Sequence, residues 1–160
     1  MATTTTAPRP RSWVSLLPFL LAVAVVAVVG GLAAGSAGST YRDLDLPPFA
    51  PPSWLFGPVW AVLYVMIGVA GWLLWRARGW DTALHVWAAQ LVLNLAWTPL
   101  FFAANRYTLA LLDIAVLALL ILGLIALAWR RSRVASWLLV PYAAWVCVAT
   151  ALNAAIVVLN

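Results

Sequence analysis

The sequence is poor in charged residues and in side chains that bind metals. Of its 160 residues only 8% are charged, and neither lysine nor glutamate occurs. Soluble domains carry about a quarter charged residues, and disordered chains combine high charge with low hydrophobicity, so both classes are excluded. The single cysteine, Cys147, excludes an internal disulfide. With one histidine, His85, and four scattered aspartates, no metal site is expected.

Apolar residues make up most of the chain. They account for 66% of it, and the mean hydropathy is +1.03. Residues 22–29 and 114–127 are continuously apolar, whereas barrel strands alternate inward and outward residues over about ten positions. The pattern therefore predicts membrane-spanning helices, each needing roughly 20 apolar residues.

Charged and polar residues divide the chain into five predicted spans, which follow a polar tail at 1–12. The first apolar run is too long for the core of a signal peptide, so it is interpreted as a retained span. The sequence predicts an all-α integral membrane protein, a bundle of five transmembrane helices forming one domain over 13–160. The spans are 13–36, 53–75, 82–104, 107–129 and 135–159.

The arginines are distributed unequally between the two sides of this topology. Seven of the nine fall beside one end of the spans, and Arg42 and Arg106 fall beside the other. Because basic residues stay in the cytoplasm, this predicts a cytoplasmic N-terminus and an external C-terminus. No basic cluster is interleaved with polar recognition residues, so nucleic acid is not an expected partner.

The longest connection, residues 39–52, is called the first loop here. It contains Pro47, Pro48, Pro51 and Pro52, and proline favours extended, non-helical chain. A stiff loop above a helix bundle is suited to act as a lid.

Small residues recur in the first span. Gly30, Ala34 and Gly38 are four residues apart, as are Gly31 and Gly35. Such spacing lets helix backbones approach closely. It serves either packing inside the bundle or a homodimer.

Eleven tryptophans are the strongest compositional feature. Three of them, Trp60, Trp97 and Trp145, lie deep in their spans, where an indole N–H needs a partner. Seven others lie near span ends and fit an aromatic belt at the membrane interface; they are Trp13, Trp54, Trp72, Trp75, Trp80, Trp129 and Trp137.

The deep tryptophans share helix faces with polar residues. Helical spacing aligns three groups, which are Gln90, Asn94, Trp97 and Phe101, then Tyr142, Trp145, Ala149 and Asn153, then Trp60 and Tyr64. Amides normally face the interior of a membrane bundle. The stripes indicate either hydrogen bonds between helices or a pocket in which aromatic faces hold a flat, apolar ligand.

Asp113 lies inside the fourth predicted span. Arg106 and Arg42 are its candidate ion-pair partners. A structural ion pair or a charge near the start of the helix is favoured over a proton relay, because no second carboxylate lies at that depth. No combination of nucleophile, base and orienting group is present, so a conventional hydrolase or transferase is not expected.

Three segments resemble the tryptophan-rich sensory protein family, also named TspO/MBR, translocator protein or peripheral benzodiazepine receptor. They are YRDLDLPPFAPPSWLFGPVWAVLY at 41–64, QLVLNLAWTPLFF at 90–102 and PYAAWVCVATALN at 141–153. The resemblance implies a five-helix bundle, a homodimer, and a pocket below the first loop for protoporphyrin-type tetrapyrroles or other flat lipophilic ligands, with no obligatory cofactor. The ligand-binding residues it implies are Tyr41, Trp60, Tyr64, Asn94, Trp97, Trp145, Ala149 and Leu152.

A membrane receptor or sensor for a tetrapyrrole is therefore the expected function. Two alternatives stay open. In the first, Trp60 and Trp145 correspond to tryptophans implicated in light-dependent porphyrin breakdown, which would make the chain an enzyme. In the second, the protein transports porphyrins or other lipophilic molecules.

This sequence departs from the family at three places. Thr40 replaces an aromatic residue, and Leu46 replaces a loop lysine. Residues 154–159 lack both the aromatic and the basic residue of a proposed sterol motif, so sterol binding at the C-terminus is not expected.

Overall fold

Five long α-helices follow one another in the computed structural model, which describes residues 13–35 and 41–160. They are α1 (Leu17–Ala33), α2 (Phe56–Arg78), α3 (Thr82–Thr98), α4 (Tyr107–Trp129) and α5 (Arg133–Leu159). Short 3-10 turns, Trp13–Leu16 and Ser53–Leu55, lead into α1 and α2, and a π-helical turn, Pro99–Ala103, extends α3. The predicted tail at 1–12, and Gly38 and Thr40, lie outside the described residues.

Each helix, with its adjoining turn, is long and apolar enough to cross a membrane. Their outer faces are apolar as well: Leu119 is 69% exposed, and Leu21 and Val62 are similarly exposed. In water such a surface would aggregate, whereas in a bilayer it contacts lipid. The predicted all-α bundle of five transmembrane helices is confirmed.

The helices form a closed ring in the order α1, α2, α5, α4, α3, so that α1 completes the circle against α3. The interior contains aliphatic and aromatic residues together with a few amides. Tyr142, Ile67 and Gln90 are all fully buried there. Polar side chains on α2, α3 and α5 therefore face one another inside the ring and not the lipid.

Two connections at one end of the ring are joined by an ion pair. Gly79 ends α2 with a φ of 71°, a conformation that glycine adopts without strain. Asp81 then caps α3 by accepting from the amides of Ala83 and Leu84 at 3.0 and 3.2 Å. The same carboxylate accepts from Arg131 Nε at 2.5 Å. The α2–α3 and α4–α5 connections are thus held together.

Trp72 does not belong to an interfacial belt. Its side chain is 2% exposed, and its indole N–H donates to Ser15 Oγ at 3.0 Å. Proximity to a span end placed it in the predicted belt, but its helix face is turned towards the start of α1. Trp87, on α3, is also buried and donates to the carbonyl of Ile67 on α2 at 2.9 Å. Both indoles join neighbouring helices.

Candidate functional site

A cavity of about 560 Å³ lies between α1, α2 and α3 below the first loop. Aromatic residues form one side of it, and small residues of α1 form the other. Its walls are Ala27, Gly30, Gly31, Ala34, Tyr41, Ser53, Trp54, Phe56, Gly57, Trp60, Ala61, Tyr64, Trp97, Thr98 and Phe102.

Four predicted ligand-binding residues line this cavity: Tyr41, Trp60, Tyr64 and Trp97. The rings of Trp60 and Tyr64 lie one helical turn apart on α2, with centroids separated by 5.3 Å. Trp97 faces the space from α3, stacked on Phe101 at 5.1 Å. The aromatic faces on α2 and α3 thus border the same space.

A chain of hydrogen bonds runs from the cavity wall into the bundle. Tyr64 Oη donates to Asn94 Oδ1 at 2.8 Å, and Asn94 Nδ2 donates to Tyr142 Oη at 3.1 Å. Tyr142 in turn donates to Gln90 Oε1 at 2.8 Å. Asn94 therefore lies behind the wall, where it orients the Tyr64 hydroxyl, and it is not among the cavity-lining residues.

The Trp97 indole is fixed by a separate pair of bonds. Its N–H donates to Asn153 Oδ1 on α5 at 3.2 Å, and Asn153 Nδ2 donates to the carbonyl of Tyr107 at 3.0 Å. Because this N–H is used within the bundle, Trp97 offers the cavity its apolar ring. The polar stripes form the predicted interhelical hydrogen bonds, and these bonds also support an aromatic wall of the cavity. That this wall holds a flat, apolar ligand stays a prediction.

The three predicted residues on α5 lie apart from the main cavity. Ala149 and Leu152 line a second cavity of about 20 Å³, which Tyr41, Phe56 and Trp97 also border. Trp145 packs edge-to-face on Phe56 at 5.7 Å. Its indole nitrogen is buried and has no hydrogen-bond partner among the described residues. Phe56 thus lies between Trp145 and the space beside Trp60.

The α1 wall was missing from the sequence-based set of site residues. Ala27, Gly30, Gly31 and Ala34 face the cavity, and a Cβ on Gly31 would meet nothing within 4 Å. A Cβ on Gly30 would lie 3.5 Å from Thr98 Oγ1, so Gly30 also sits near α3. The signal was present as the spacing of small residues, which was interpreted as packing or dimerisation.

The first loop closes one end of the site through two sets of contacts. The Tyr41 hydroxyl donates to the carbonyl of Pro51 at 2.9 Å, and burial raises the pKa of Tyr41. Asn160 accepts from the Asp45 amide at 3.1 Å and donates to the Asp45 carbonyl at 3.2 Å. The loop is thereby attached to the end of α5.

Asp113 forms no ion pair with Arg106 or Arg42 in the described part of the chain, which overturns the expected pairing. Asp81 and Arg131 form the salt bridge seen there. One carboxylate oxygen of Asp113 is buried without a hydrogen-bond partner among the described residues. Within those residues no three metal-binding side chains come together either.

Comparison with known proteins agrees with this architecture. The sequence model of the TspO/MBR family matches residues 19–159. The tryptophan-rich protein TspO of Archaeoglobus fulgidus is 36% identical over 148 residues, covering 91% of this chain and 96% of that protein. The human translocator protein is 37% identical over 151 residues, with coverages of 88% and 87%.

A bacterial sensory protein shows a similar relationship. The tryptophan-rich sensory protein of Cereibacter sphaeroides is 35% identical over 144 residues and matches 88% of each chain. With nearly full-length matches to the family and to these relatives, the resemblance first seen in three short segments is confirmed: the chain is a multi-pass membrane protein that belongs to the TspO/MBR family.

Proposed function

We propose that the protein is a membrane receptor or sensor that binds a protoporphyrin-type tetrapyrrole, or a similar flat lipophilic molecule, in the main cavity. The observation that carries the proposal is the aromatic wall formed by Trp60, Tyr64 and Trp97 around about 560 Å³. Pockets for small organic ligands typically measure about 300–1,000 Å³ and are mostly apolar with a few polar groups. The family membership supports the choice of ligand through the resemblance described above.

The opposing walls suit a planar ring. Indole and phenol rings present flat faces on α2 and α3, while the small residues of α1 leave the other side unobstructed. Ser53, Thr98 and the Tyr41 hydroxyl supply polar groups at the margin. Burial of apolar ring surface stabilises the complex by about 25 cal/mol per Å², before the cost of ordering the ligand and side chains.

The proposal includes a cytoplasmic N-terminus and a homodimer. The orientation is supported by the arginine asymmetry, and the dimer by the resemblance. Cysteine accessibility scanning in vesicles would test the first, and cross-linking of the reconstituted protein would test the second. Whatever the orientation and oligomeric state, lipid surrounds the apolar outer faces of the helices.

A dark titration with protoporphyrin IX tests the ligand. Purified full-length protein is titrated while the Soret absorbance is followed, and Trp60→Leu is compared with Trp137→Leu. Trp137 is 62% exposed and does not line the cavity, so its replacement serves as a matched control. Loss of one stacking indole is expected to weaken binding about tenfold, whereas Trp137→Leu should bind as the parent does.

Three results would oppose the proposal or redirect it. Equal, non-saturating uptake of porphyrin by all three proteins would show partition into detergent and would exclude the site. Bleaching of the bound porphyrin under illumination that depends on Trp60 would favour the degrading activity. Accumulation of porphyrin inside proteoliposomes would favour transport.

A further inference from the structure

One end of the bundle concentrates positive charge, and we call it the basic end. It carries Arg76 and Arg78 at the end of α2, and Arg130, Arg131 and Arg133 at the α4–α5 connection. Start and end points of the helices place these segments on the same side of the membrane. The Asp81–Arg131 ion pair joins the two connections directly.

The charge at the basic end is far from balanced. Among the described residues there, five arginines against one aspartate leave a formal charge of +4. The opposite end carries Arg42 and Arg106 against Asp43 and Asp45, which cancel. Arg131 is engaged by Asp81 and by the carbonyl of Leu127. The other four arginines of the basic end are exposed.

Tryptophans hold two of these arginines beside the helix ends. The Arg76 guanidinium lies 4.6 Å from the ring centroid of Trp72 and 5.9 Å from that of Trp13. The Arg133 guanidinium lies 5.3 Å from the ring of Trp129. A guanidinium stacked on a ring keeps its N–H donors in its own plane, where they match the oxygens of a phosphate.

Apolar side chains continue from the arginines along the outer surface. Leu17 is 55% exposed near the start of α1, and Val134 and Trp137 are each 62% exposed at the start of α5. Exposed arginines, indoles and aliphatic side chains thus adjoin one another at this end, and these are the groups that contact the headgroup and the upper acyl chains of a phospholipid. A free inorganic anion would contact the arginines but not the exposed apolar side chains beside them.

We propose that the basic end binds the headgroups of anionic phospholipids in the adjoining leaflet. This surface lies at the opposite end of α2 from Ser53 and Phe56, which line the main cavity. The proposal is therefore independent of the tetrapyrrole site. Phosphate groups would accept from Arg78, Arg130 and Arg133, and the acyl chains would lie along the exposed starts of α1 and α5.

Native mass spectrometry of the detergent-solubilised full chain provides the test. Phosphatidylglycerol and phosphatidylcholine are titrated separately, and apparent affinities are taken from the lipid-bound peaks. The variant R78Q/R130Q removes two exposed arginines from the basic end, and R42Q/R106Q removes two exposed arginines from the other end. At about 1 kcal/mol per arginine near an anionic surface, R78Q/R130Q should bind phosphatidylglycerol about 30-fold more weakly. R42Q/R106Q should bind as the parent does.

Two further arms separate specific recognition from other causes. R78K/R130K keeps the charges and is expected to recover most of the affinity, which a folding defect in R78Q/R130Q would not allow. Equal losses in both glutamine variants, or equal affinity of the parent for the two lipids, would overturn the proposal. Displacement of phosphatidylglycerol by a matched concentration of inorganic phosphate would assign the surface to free anions and would also overturn it.

Discussion

Replacement of Gly71 by alanine is expected to destabilise the bundle through its effect on Trp87. Gly71 lies on α2 directly opposite the Trp87 indole of α3. A Cβ at this position would lie 2.6 Å from Trp87 Nε1 and 2.7 Å from Cζ2. Real Cβ atoms do not approach other heavy atoms so closely, so the indole would have to move.

The indole has little room to move. Trp87 is 5% exposed, its N–H donates to the Ile67 carbonyl at 2.9 Å, and Phe19 packs on its ring at 5.4 Å. Overpacking typically costs about 1–3 kcal/mol, and loss of the hydrogen bond adds about 1 kcal/mol. The better helix propensity of alanine returns about 1 kcal/mol. The net loss in free energy of unfolding should be about 2 kcal/mol.

Reversible unfolding in mixed detergent micelles, followed by circular dichroism, would measure this loss. Gly123→Ala is the matched control, because a Cβ on Gly123 of α4 would meet nothing within 4 Å. Its stability should equal or slightly exceed that of the parent. The double variant Gly71→Ala/Trp87→Leu should show favourable coupling, since leucine lacks the clashing ring atoms. If Gly71→Ala were as stable as Gly123→Ala, the proposed clash would be refuted.

Three other perturbations test different contacts. Tyr142→Phe removes the donor to Gln90 and should lower the free energy of unfolding by about 1–3 kcal/mol in the same micelle assay. Burial opposes ionisation of Asp81, but its hydrogen bonds, chiefly from Arg131, lower its pKa below 3.8. Ionised Asp81 therefore stabilises the fold above pH 3.8, and this contribution is lost as pH falls through the folded-state pKa. Thermal midpoints measured against pH should fall over that range. The midpoints of Asp81→Ala should not show this fall. Asn160→Ala removes two bonds to the first loop, and faster amide hydrogen exchange in that loop, measured by mass spectrometry, is expected.

The sequence predicted the helices well because lipid imposes a simple rule on them. A span must be apolar and about 20 residues long, and charged residues mark where it ends. Helical spacing also predicted which polar residues face inward, since side chains such as Gln90, Asn94 and Tyr142 are costly against lipid and find hydrogen-bond partners inside the bundle. The position of each span and its inward-facing side follow from residue spacing along the chain and from the cost of placing polar groups in lipid.

The arrangement of the cavity depended on information that local pattern does not carry. Spacing places Trp60 and Trp145 each on an inward face, but the ring order of the helices decides which faces border the same space. Here α1 inserts between α2 and α3, so its small residues form a wall, while Phe56 separates Trp145 from the cavity. For the same reason Trp72 was assigned to the interfacial belt: its position near a span end did not show that its helix face turns towards α1.

The π-helical turn after α3 has a consequence for how the chain tolerates insertions and deletions. The turn begins at Pro99, whose carbonyl accepts from the Ala104 amide five residues later at 2.8 Å. It holds one residue more than a regular helical turn would, and it brings Phe101 and Phe102 together with ring centroids 4.8 Å apart. Deleting a single codon within 99–101 would restore regular helix and rotate Phe102 about the helix axis by about 100°, away from the cavity. We therefore expect length changes of one residue to concentrate at this turn in homologous genes, and to accompany changes in ligand preference.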